Sequence, residues 1–92
     1  MVDIGGSLRS GYHSDCTRTY VVGGPGAVPR MYQVLYDAQA AAVRTVRPGV
    51  TAESVDAAAR EVISAAGFGE FFIHRTGHGI GLSLHEEPFI VA

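Results

Sequence analysis

Twelve of the 92 residues are glycine, close to twice the average share of roughly 7%, and they are unevenly placed. Most fall in residues 5–26 and 67–81, and none falls in 27–48. Glycine gathered this way marks turns and places where bare backbone must approach something closely. The chain therefore reads as two glycine-rich, extended regions around a helical middle. A chain of this length holds one small domain at most. The apolar share of 47% is that of a globular protein rather than a disordered one.

Residues 1–22 read as β structure. Val2 and Ile4 flank Asp3, and Thr17 to Val22 is rich in β-branched and aromatic types. The connection Gly5 to Gly11 is too long for a two-residue turn, and an antiparallel hairpin is the economical reading. Gly23-Gly24-Pro25-Gly26 ends the strand. A helix is expected over 29–47, with Pro29 at its first position and Met31, Leu35, Ala38, Ala42 and Val46 as the apolar stripe, widened by Val34 and Ala41. Arg44 and Arg47 sit where cations complement the helix dipole. Pro48-Gly49 stops the helix. A second helix is expected over 52–66, with Thr51 as N-cap, Glu53 in the first turn and Gly67 just past the end. Its stripe is Val55, Ala59, Val62 and Ala66, with Ala58 and Ile63. Asp56 and Arg60 form an i, i+4 pair of small value. From Phe71 to Ile90 the chain returns to extended structure.

Composition excludes several functions. Seven Arg and no Lys remove Schiff-base chemistry and phosphate-loop binding, both of which need lysine. A net charge of −2 without an arginine cluster gives no nucleic-acid footprint. No signal-like opening or membrane-length apolar run is present, so no membrane partner and a cytoplasmic location are the expectations. Cys16 has no partner for an internal disulfide, which suits a reducing compartment. Beside Asp15 it could be a soft metal ligand, but adjacent strand residues face opposite ways, and it reads as a small residue pointing elsewhere.

Three residues carry candidate metal chemistry: Asp3, Asp15 and His78. If the hairpin turns near Arg9, Asp3 lies directly opposite Asp15. Like charges placed so must be neutralised by a shared proton, an arginine or cations. A pair of divalent ions about 3.5–4 Å apart would fit there. The alternative is a different register in which both aspartates cap turns. His78, in Gly77-His78-Gly79-Ile80-Gly81, has bare backbone on both sides, which leaves room for a ligand or ion. His74 and His78 have the spacing of metal ligands on a helix, but the alternating glycines argue against a helix. His13 reads as a surface residue.

The series Asp3-Ile4-Gly5, Gly11-Tyr12, Ser14-Asp15-Cys16-Thr17-Arg18-Thr19, Gly77-His78-Gly79-Ile80-Gly81 and His85-Glu86-Glu87-Pro88 resembles the creatinase/aminopeptidase P, or pita-bread, metallopeptidases. The Thr-Arg-Thr run and the His-Glu-Glu-Pro stretch are most similar to Xaa-Pro aminopeptidases and Xaa-Pro dipeptidases (prolidases). The resemblance covers the whole chain in the right order. It implies an α+β fold, a partial pita-bread domain over 1–92 made of a hairpin, two helices and a glycine-rich strand segment.

It also implies a five-ligand site for two divalent ions, Mn, Co, Zn or Fe. Asp3, Asp15 and His78 match three of its ligands, and His85 matches the histidine that contacts substrate and stabilises the tetrahedral intermediate. Thr17 and Arg18 match supports beside the ligands. The implied substrate is a short peptide with proline second.

The spacing from Asp3 to Asp15 is one residue longer than in many members. The two glutamate ligands of the family lie downstream of the His-Glu-Glu-Pro stretch, and Glu86 and Glu87 do not match them. The chain alone is therefore expected to hold at most one ion weakly and to be inactive. Half a sheet with open edges also leads to the expectation of a homo-oligomer, exchange of elements between copies being one route to it.

Two other readings compete. One is a non-catalytic binding or assembly domain of the same fold; the other is an enzyme like methionine aminopeptidase, against which the Asp15-Cys16-Thr17-Arg18-Thr19 run argues. One geometric condition attaches to the site. In a regular strand His78 and His85, an odd number of residues apart, face opposite sides, so the chain must bend between them.

Overall fold

The computed structural model describes residues 1–23 and 29–92, so the strand stop expected at Gly23–Gly26 lies, from Gly24 on, outside the described residues. The elements run β1 (Val2–Ser7), β2 (His13–Arg18), α1 (Arg30–Thr45), α2 (Ala52–Ala65), a 3-10 turn (Gly69–Phe71), β3 (Gly77–Gly79) and β4 (Glu86–Ile90). The fold is α+β, with two separate antiparallel hairpins, β1–β2 and β3–β4.

The first hairpin turns through Leu8–Tyr12. Leu8 N–H donates to the Tyr12 carbonyl (2.9 Å) and Gly11 N–H to the Leu8 carbonyl (2.9 Å). Gly11 holds φ 89°, a left-handed backbone that a side chain would strain. This turn sets the register Asp3↔Thr17 and Gly5↔Asp15. The direct Asp3–Asp15 opposition expected from a turn near Arg9 is therefore wrong by two residues. An even shift keeps every side chain on its face, so the two aspartates remain on one side as diagonal neighbours. Cys16 pairs with Ile4 on the other side. β2 stops at Arg18 rather than Val22, because the ladder ends at Val2↔Arg18 and the residues beyond have no partner in β1.

The core is the contact between α1 and α2: Ala38 and Ala42 against Val55, Ala59 and Ile63. Small residues on both helices let the backbones come close. Val34, Val50, Val62, Phe68, Phe72 and Ile90 pack around this seam. Met31, Leu35 and Val46, expected in the buried stripe, are instead 57%, 49% and 62% exposed. Among the described residues α2 is the main cover of α1, and it reaches a narrower strip than the periodicity allowed.

α1 ends at Thr45, so Arg44 lies in its last turn and Arg47 outside it; Pro29 sits one position before the helix rather than at its first residue. α2 follows expectation closely. Thr51 Oγ1 accepts from Ser54 N–H (3.1 Å). At the other end Gly67, φ 86°, closes a Schellman motif: Gly67 N–H donates to Ser64 O (2.9 Å) and Phe68 N–H to Ile63 O (3.0 Å).

The 71–76 segment, expected to be extended, is mostly not a strand. It begins in the 3-10 turn, and the carbonyls of Phe72 and His74 accept from the Arg60 guanidinium at 2.8 and 3.1 Å. Among the described residues no helix is long and apolar enough to cross a membrane.

Candidate metal centre

Glycine positions the site. β3 and β4 pair as Gly77↔Ile90, His78↔Phe89 and Gly79↔Glu86, with a register break between His78 and Gly79. A Cβ on Gly79 would overlap the Glu87 carbonyl, and one on Gly81 the Glu86 carboxylate. Bare backbone is what lets the chain fold back so tightly. The reversal brings the rings of His78 and His85 to 4.3 Å between centroids, at 67°. The condition attached to this pair is thus met by a chain reversal, with Gly79 at the register break where a side chain would meet the Glu87 backbone.

The first hairpin reaches this loop through His13. Its amide donates to the Gly81 carbonyl (2.8 Å), and ring Nδ1 donates to the same oxygen (3.3 Å). His13 is therefore a docking residue, half-buried, and not the free surface side chain expected of it. Two residues further along β2, on the same face, Asp15 Oδ2 lies 3.4 Å from His78 Nε2.

The ring orientation is informative. His78 Nδ1 donates to the Gly79 carbonyl (2.8 Å). A carbonyl only accepts, so in the neutral ring Nδ1 carries the hydrogen and Nε2 presents a lone pair towards the Asp15 carboxylate. Two acceptors facing each other repel unless a proton or a metal ion sits between them. Their 3.4 Å separation also equals the edge of a tetrahedron with metal–ligand bonds of about 2.1 Å. An imidazole held by its second nitrogen next to a carboxylate is the donor set that divalent first-row metals take. The Asp15–His78 pair fits one divalent ion; such an ion would supply Lewis acidity and an acidified water.

Asp3 sits outside this pair. Its Oδ1 accepts from Thr17 Oγ1 (2.7 Å), its partner across the ladder, which fixes the carboxylate on the face that Asp15 shares. Arg18 Nη1 returns to the Thr17 carbonyl (2.7 Å), one residue from that contact. Among the described residues no three His, Cys, Asp or Glu side chains converge closely enough to enclose an ion. His85 is exposed beside His78. Glu86 Oε2 accepts from Ser83 N–H (3.1 Å) and so braces the loop. His74 packs edge-on against Phe72, with 5.9 Å between ring centroids.

One group near the site escaped sequence reasoning. Asp56, read as an i, i+4 pair of small value with Arg60, is fully buried at 0% exposure. It accepts from Arg60 Nε (2.8 Å) and Nη2 (3.0 Å), and from Thr76 Oγ1 (2.6 Å). The Arg60 hydrogen bond, with help from Thr76, holds the Asp56 carboxyl below its ordinary pKa against the cost of burial. A signal was available: Asp56, Ala59 and Ile63 share a helical face.

The metallopeptidase family M24 matches this chain over residues 1–92, and the chain belongs to that family. Its relatives are dipeptidases and prolidases. A probable dipeptidase PepE of Mycobacterium tuberculosis is 61% identical over 93 residues, covering 100% of this chain and 25% of the relative. A Xaa-Pro dipeptidase of Lactobacillus helveticus is 49% identical, covering 94% of this chain and 24% of the relative. Among solved structures, dipeptidase PepE of Mycobacterium ulcerans superposes with a TM-score of 0.92 at 62% identity, over 98% of this chain and 24% of that one. A prolidase of Pyrococcus furiosus gives 0.88 at 47% identity, over 97% of this chain and 26% of that one. The chain thus spans about a quarter of the length of the relatives it matches.

Proposed function

We propose that this chain is one part, a single partial catalytic domain over 1–92, of a cytoplasmic dinuclear-metal peptidase. That peptidase cleaves Xaa-Pro bonds at peptide N-termini. Asp3, Asp15 and His78 bind metal; Thr17 holds the Asp3 carboxylate and Arg18 supports Thr17; His85 faces the substrate and stabilises charge on the attacked carbonyl. The complete site takes two divalent ions, Mn, Co, Zn or Fe. This chain alone holds at most one ion, weakly, and does not turn over substrate without further carboxylates. The observation that carries the reading is His78 Nε2 at 3.4 Å from Asp15 Oδ2, with the other ring nitrogen engaged by the Gly79 carbonyl. Cytoplasmic residence rests on the lone thiol Cys16, which suits a reducing compartment.

Calorimetric titration with Mn²⁺ tests the metal role. The expected result is binding by the chain that His78→Ala abolishes; equal heats from both proteins would overturn it. Hydrolysis of a Gly-Pro dipeptide by the chain on its own would overturn the expected inactivity. A binding or assembly role has one observation in its favour, the apolar surface of α1 and its C-cap, where Met31, Tyr36, Val43 and the capping Val46 are all more than half exposed. On the same observation we propose that copies of the chain associate.

A further inference from the structure

We infer that Asp56, Arg60 and Thr76 are positioning residues for His78: α2 sets the place of the histidine strand through an ionic clamp seated on the buried Asp56. The inference rests on the metal-centre reading of His78. Asp56 has no solvent exposure, and both its oxygens are engaged, by the Arg60 fork and by Thr76 Oγ1. Arg60 then uses its remaining hydrogen bonds on the chain that leads to the site. Nη1 donates to Phe72 O and Nη2 to His74 O, at 2.8 and 3.1 Å, and the guanidinium lies 4.8 Å from the Phe72 ring centroid. Thr76 adds a third tie, because its own N–H donates to Ile90 O of β4 (2.9 Å). Phe72, His74 and Thr76 are thus each held by the clamp at alternate positions, and the next alternate residue is His78.

Asp56 is buried while Arg60 keeps part of its side chain in solvent, and taking such a carboxylate out of water offsets much of what the pair gains in stability. What the pair supplies is a fixed geometry. A planar fork binding a carboxylate on one side and two carbonyls on the other tolerates little sliding. The segment 72–76 has no strand partner for most of its length, so this clamp takes the place of a ladder. Sliding by one residue would turn His78 away from Asp15 and from His85.

The test uses the full chain with Thr76→Val, which keeps the shape and removes the hydroxyl, and Thr76→Ser, which restores it. Ile63→Val serves as a control that loosens the core outside the clamp. Two readouts are taken on the folded fraction. The first, without metal, is the nuclear Overhauser contact between the His78 and His85 rings together with the nitrogen shifts that report the His78 tautomer. The second is Co²⁺ affinity followed by visible absorption. Thr76→Val is expected to weaken the ring contact and lower Co²⁺ affinity about tenfold or more, Thr76→Ser to recover both, and Ile63→Val to change neither. An unchanged ring contact and tautomer in Thr76→Val, or equal losses in Ile63→Val, would overturn the inference. If the parent chain takes up no Co²⁺, the metal reading fails, while the ring contact still decides the positioning role.

Discussion

At the scale of single residues, the site depends on small groups that keep larger ones in place. Thr17 Oγ1 pins the Asp3 carboxylate; Thr17→Val is expected to lower divalent-ion affinity by about 10–100-fold in a form of the protein that holds the ion, measured by calorimetry. Gly79 allows the close approach of β3 and β4. Gly79→Ala is expected to part the strands and cost about 1–3 kcal/mol in urea unfolding, with loss of contact between the two histidine rings. The identities of Asp15 and His78 were legible as motif residues, and so was the shared face of Asp3 and Asp15. Their partners were not. Register follows from the geometry of the Leu8–Tyr12 turn, and a turn type with Gly11 at positive φ cannot be told from its neighbours by composition alone.

Among the elements, α2 was the most legible and the most underestimated. Its cap, stripe and terminal glycine were all local signals, and local signals survive into the structure. Thr51→Ala is expected to cost about 1 kcal/mol through the lost bond to Ser54 N–H. The burial of Asp56 was hidden because it depends on the 72–76 segment folding over that face, a contact made by residues far along the chain. Asp56→Asn is expected to cost about 1–3 kcal/mol at neutral pH, since it weakens the charge-assisted bonds to the half-buried Arg60.

The pH dependence follows from the sign of the shift. The Asp56 carboxyl is lowered in the fold, so its contribution is present above the unfolded carboxylate pKa near 4 and is lost as pH falls through the folded value. Denaturant unfolding of the parent should therefore weaken steeply below pH of about 4, and Asp56→Asn should show a shallower acid slope. Equal slopes would show that other carboxylates govern acid unfolding.

For the whole molecule, the radius of gyration is 15.0 Å, against roughly 12 Å for a compact domain of this length. All of β1 and most of β2 are exposed, and a cleft of about 800 Å³ opens between the end of β2 and the two helices. With the exposed face of α1, this predicts concentration-dependent association in sedimentation, weakened by Leu35→Glu. A single species with the mass of one chain at all concentrations would contradict it. Fold class was legible at this scale because the glycine pattern separates helix from strand; the openness was not, since periodicity shows which face is apolar but not what covers it. The Gly81 carbonyl, which receives both His13 donors, has a consequence in time as well as in space. The helices close through nearby residues, whereas that junction joins segments 68 positions apart, and distant closures come late in folding and open first. The His13 amide should therefore exchange with solvent deuterium well before the α2 amides, and Asp15 and His78 should part each time it does.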